Sequence, residues 1–135
     1  MPRHGPRSLA FWSWLVLALL AAHDVTHAVD DGLETRLGQL AFVALPQWLV
    51  LAVAMSVILR GDRVRSRTAA LLMGVGVTVG FAVVHLLPFS PAAFWELQPS
   101  VVSWVLAWVP AAVGLVLATL AWPRWRTAAR RPSAT

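Results

Sequence analysis

The sequence predicts an all-α integral membrane protein, folded as an antiparallel four-transmembrane-helix bundle. Three observations carry this prediction. Of the 135 residues, 59% are hydrophobic and 13% charged, with a mean hydropathy of +0.69, whereas a soluble domain carries roughly 25% charged residues. Four apolar runs cover 9–29, 37–59, 68–87 and 101–122, and each reaches the roughly 20 residues that a helix rising about 1.5 Å per residue needs to cross a bilayer. Apolar and polar positions do not alternate within these runs, which excludes the shorter alternating strands of a membrane β-barrel. The whole chain, 1–135, reads as one membrane domain.

The first run is leucine-rich and ends in AAHDVTHAVDD, so its last third carries His23, Asp24, Thr26 and His27. With its MPRHGPR start and the small residues Ala21 and Ala22 it also resembles a secretory signal. We read it as a retained span. The second run is interrupted only by Gln39, Pro46, Gln47 and Ser56, and the third contains His85 near its end. Pro46 and Pro110 fall inside the second and fourth runs, where a missing backbone donor can bend a helix and widen a cavity. Gly76 and Gly80 in the third run have small-x-x-x-small spacing and are expected to permit close helix contact, as are Ala107, Ala111 and Ala118 in the fourth. The connections DDGLET, RGDRVRSR and PFSPAAFWELQPS are short, which favours antiparallel neighbours.

Charge gives the orientation. Arg3, Arg7, Arg60, Arg63, Arg65, Arg67, Arg124, Arg126, Arg130 and Arg131 fall on one side against Asp62 alone, while Asp24, Asp30, Asp31, Glu34 and Glu96 fall on the other against Arg36 alone. The positive-inside rule puts both termini in the cytoplasm of a cell-membrane protein. Trp12, Trp14, Trp122 and Trp125 then lie near the inner interface and Trp95 and Trp104 near the outer one, with Trp48 and Trp108 deeper. The net charge of +5 is spent on topology, so no nucleic-acid partner is expected. The bilayer itself is the first partner, and a larger membrane complex or a homo-oligomer suits so small a chain.

The polar end of the first run carries the chemistry. His23 and His27 are spaced i, i+4, with Asp30 and Asp31 a turn further on, while Asp24, His27 and Asp31 form an overlapping stripe. The first and third spans run in the same direction, so His23, His27 and His85 converge on one outer layer. With no cysteine in the chain, a metal here takes nitrogen and oxygen ligands, which suit Zn, Fe, Mn or Cu. Asp24 or Asp31 would be a direct ligand or orient an imidazole, and Asp30, Glu34, Glu96 and Gln47 would stand behind. The leading expectation is thus a transition-metal site of His23, His27, His85, Asp24 and Asp31, acting on a lipophilic substrate or serving as a metal-binding subunit.

Two alternatives stand beside it. One is a noncatalytic accessory or assembly subunit whose polar cap holds the helix ends together. The other is a bis-histidine haem b electron-transfer subunit, with His23 or His27 opposite His85 and the glycines of LLMGVGVTVG making room. The sequence contains no HExxH, nucleotide loop or serine-hydrolase elbow, and it names no reaction.

Overall fold

The structure, a computed structural model, describes residues 6–30, 45–87 and 101–122, without the side chains of Pro6, His27, Ala28, Asp30 and Ser103. These residues form four helices: α1 (Pro6–Asp30), α2 (Leu45–Arg60), α3 (Arg63–Leu86) and α4 (Val101–Ala121). Among the described residues three stretches are long and apolar enough to cross a membrane: Arg7–Thr26, Arg63–Leu86 and Trp104–Ala121. The described part of the second run, Leu45–Arg60, is apolar and shorter. Large apolar side chains such as Phe11, Leu49, Val53, Leu72 and Leu115 are exposed on the outside of the helices, as expected of a chain whose outer solvent is lipid.

The helices run up and down. The C-terminal turns of α1 and α3 meet at His23 and His85, and the first turn of α2 joins them through Trp48 and Asp24. Gly61 and Asp62 alone reverse the chain between α2 and α3. The Gly61 N–H donates to the Val57 carbonyl at 2.8 Å. A Cβ on Gly61 would lie 2.5 Å from that same carbonyl oxygen, so a side chain there would force the turn open. Asp62 caps α3, its carboxylate accepting from the N–H groups of Val64 and Arg65 at 2.9 Å each, which satisfies two donors a helix start leaves open. Ser66 fastens the turn from inside, its hydroxyl lying 3.1 Å from the carbonyl oxygens of both Ile58 and Gly61.

Helix α3 packs most extensively against α4, and α1 also lies against α4. Gly74 and Gly114 approach backbone to backbone: a Cβ on Gly74 would strike the Gly114 carbonyl, and one on Gly114 would lie 3.0 Å from the Gly74 carbonyl. The Thr78 hydroxyl lies 2.9 Å from the Ala111 carbonyl oxygen across the same seam. Because 74 faces 114 and 78 faces 111, the two helices are antiparallel. Ala107, Ala111 and Ala118 are buried, as the small-residue pattern anticipated. Gly76 and Gly80 are not part of this seam, since nothing lies within 4 Å of where their Cβ atoms would be. The reason is angular: two residues of an α-helix turn it by about 200°, which puts Gly76 on the side opposite Gly74.

Pro110 is buried within an α4 that continues through it. Pro46 lies in the first turn of the described α2, a position where a missing N–H costs little.

Candidate histidine site

The polar end of the first run is helical throughout, so α1 carries AAHDVTHAVD as a continuation of its apolar part. Its buried face runs Leu9, Ser13, Val16, Leu20, His23, a spacing that alternates four and three residues and keeps one stripe against the bundle. His23 is therefore placed by the same periodicity that places the leucines. On α3 the buried face runs Ser66, Ala70, Met73, Val77, His85, and His85 falls on it for the same reason. Removal of α1 as a leader would take His23 and this part of the core with it.

The two imidazoles meet at the ends of these stripes. Their ring centroids are 5.3 Å apart with the planes at 87°, and only 6% of His23 and 5% of His85 is exposed. Phe81, one turn before His85, lies against both, with its centroid 4.8 Å from that of His23 and 5.4 Å from that of His85. Buried polar side chains in a lipid-facing bundle are expensive and mark functional positions. A histidine pair drawn from two helices, buried and flanked by an aromatic ring, supports a histidine-mediated cofactor or ligand site.

Asp24 is the one carboxylate of the expected cluster whose side chain is described, and it bonds to α2. Asp24, next to His23 in sequence, accepts a hydrogen bond at 2.8 Å from the indole Nε1–H of Trp48 on α2. It thereby ties α1 to α2, while His23 ties α1 to α3. Among the described residues no group of three or more His, Asp or Glu side chains comes close enough to hold a metal ion. His27 lies within α1, four residues past His23, but its side chain is outside the described set, as is that of Asp30; Asp31, Glu34 and Glu96 lie outside the described residues altogether. Gln47 is exposed in the first turn of α2.

Two residues important to this end of the bundle were not singled out as site partners by sequence. Trp48 reads as a packing residue, yet it carries the donor for Asp24. Phe81 bears no polar group and becomes visible only through its rings' neighbours. The signal for Trp48 lies in the topology, since an antiparallel α2 begins in the layer where α1 ends.

No family model, curated protein or solved structure matches this chain.

Proposed function

We propose that this protein is a small membrane-embedded electron-transfer subunit in which His23 and His85 would hold a haem b. The observation that carries the reading is the buried contact of two imidazoles from separate helices, with Asp24, the described carboxylate beside His23 in sequence, engaged by Trp48. A bare divalent cation in so apolar a place would hold two neutral donors and keep its charge uncompensated, which is costly away from water. A haem brings four ring nitrogens and the ring's own negative charge, and needs from the protein only two imidazoles and an apolar slot. Held by both histidines, such a group would supply one-electron transfer rather than substrate binding.

The donor chemistry fits, while the space between the rings is closed in this structure. The pair stands at 5.3 Å with Phe81 against both rings, so the reading requires α1 and α3 to part far enough to admit a porphyrin and Phe81 to leave the gap. Helix α1 meets α3 less extensively than it meets α4, so the contact that must widen is a sparse one.

A second reading rests on the same distance. Two imidazoles in ring contact at 5.3 Å are near enough to share one tetrahedral ion after a small rotation. His27 is the next position in the four-three register of α1, and with Asp31 it would complete a Zn, Fe, Mn or Cu site, leaving Asp24 to orient α1. Such a site would make the chain a metal-binding subunit, or provide a Lewis acid for a lipophilic substrate.

Both readings place the site at the end of the bundle opposite the arginine-rich α2–α3 turn, and by the positive-inside rule that end faces outward, with both termini cytoplasmic. Elemental analysis and an absorption spectrum of the mildly extracted chain separate them. Iron with a Soret band supports the haem; a stoichiometric metal without one supports the mononuclear site. Absence of both, with neither haem nor metal ions binding on titration, leaves the histidines as a structural cap of an assembly subunit.

A further inference from the structure

We propose that the α2–α3 turn and the exposed face of α2 form a binding groove for one anionic phospholipid. Ala52, Val53, Ser56, Val57, Arg60 and Arg65 line an open groove of about 430 Å³ at this end of the bundle. The α2 residues among them recur at i, i+1, i+4, i+5 and i+8, so they form one stripe about 12 Å long with a guanidinium at its end. Ala52, Val53 and Ser56 are exposed, and the stripe offers an apolar track for an acyl chain.

Charge selects the headgroup. Residues 60–67 hold Arg60, Arg63, Arg65 and Arg67 against Asp62, a net +3. The Asp62 carboxylate is committed to the backbone N–H groups of Val64 and Arg65, and its ion pair with Arg65, at 3.4 Å, is largely exposed and therefore weak. Gly61 puts no side chain between the two arginines that border the groove. A phosphodiester sitting there meets two guanidinium forks, which match phosphate geometry better than ammonium groups do. The turn lies where the apolar runs end, the level at which a bilayer-spanning bundle would meet lipid phosphates. Because the site is at the opposite end from His23 and His85, its occupancy is independent of any group the histidines hold.

The test is a titration of the full chain in detergent with phosphatidylglycerol and with phosphatidylcholine, read by native mass spectrometry and by the unfolding midpoint. One phosphatidylglycerol is expected to bind per chain, more tightly than phosphatidylcholine. Arg60→Gln with Arg65→Gln should weaken it by about thirtyfold, at roughly a factor of five for each charge lost near the surface. Arg7→Gln, an exposed arginine outside the groove, should leave it unchanged. Val53→Trp, which fills the apolar track and keeps both arginines, should also weaken lipid binding and serves if the double variant folds poorly. Equal binding of the two lipids, full binding by the folded double variant, or competition by millimolar inorganic phosphate undiminished by Val53→Trp would each overturn the proposal, the last by showing a bare phosphate site.

Discussion

The indole of Trp48 donates to the carboxylate of Asp24 at 2.8 Å, and this bond divides the polar end of α1 between two neighbours. Asp24 faces α2 and its sequence neighbour His23 faces α3. Adjacent residues on a helix point about 100° apart, so one turn of α1 can hold two helices at once. Trp48→Phe is expected to leave the carboxylate partly buried without its donor and to destabilise the chain by about 1–3 kcal/mol. Asp24→Asn keeps a hydrogen-bond acceptor and should cost less. Unfolding midpoints of the two variants in one detergent check the ranking.

The α3–α4 seam predicts opposite behaviour for glycines two residues apart. Gly74→Ala drives a methyl into the Gly114 carbonyl and the Ala118 backbone, and such overpacking costs about 1–3 kcal/mol. Gly76→Ala and Gly80→Ala meet open space and should be neutral or stabilising by up to about 1 kcal/mol through helix propensity. Thermal unfolding of the three variants tests this; destabilisation by Gly76→Ala equal to that by Gly74→Ala would contradict the assigned faces.

Across the same seam, Thr78→Val removes the hydroxyl that reaches Ala111 while keeping the side chain's shape. Interhelical hydrogen bonds in membrane bundles contribute about 0.6 kcal/mol on average, so a small loss is expected. A double-mutant cycle with Gly114→Ala should show coupling, because the Gly114 Cβ would come 3.0 Å from the Thr78 hydroxyl.

Asp62 gives the turn a pH dependence. The N–H of Arg65 is the largest cause holding its carboxyl below the usual carboxylate range; desolvation, the next largest, opposes it, and the Val64 N–H and the Arg65 charge add to the lowering. A pKa lower in the folded than in the unfolded chain means the cap's contribution is fully present above the ordinary carboxylate pKa and is lost as pH falls through the lowered value. Proteolysis at the 60–67 turn should therefore accelerate in acid, and Asp62→Ala should show the acid rate at neutral pH with no further rise on acidification.

Much of this was legible in the sequence. Length and hydropathy placed the helices to within a few residues where they are described, and shared direction of the first and third runs brought His23 to His85. The buried faces were also encoded, since Leu9, Val16 and Leu20 continue in register to His23. What failed was phase within a uniformly apolar helix. In the third run almost every residue is hydrophobic, so hydropathy marks no inward side, and the small-x-x-x-small spacing selected Gly76 and Gly80 over Gly74. The partner of Asp24 was illegible for a related reason: a carboxylate beside a histidine suggests a shared ligand set, but helix geometry sends adjacent side chains to different neighbours. The Trp48 donor that Asp24 meets lies 24 residues away, where no local pattern points to it.

The most direct test of the histidine site is the absorption spectrum of mildly extracted, full-length protein before and after chemical reduction, compared with His23→Ala, His85→Ala and Asp24→Asn. The proposed haem predicts a Soret band that sharpens on reduction with the bands of a low-spin, six-coordinate iron. Either histidine variant should abolish that low-spin signature, and Asp24→Asn should retain it. A low-spin spectrum that survives both histidine substitutions, or wild-type protein that neither carries haem nor takes it up on titration, would contradict the assignment.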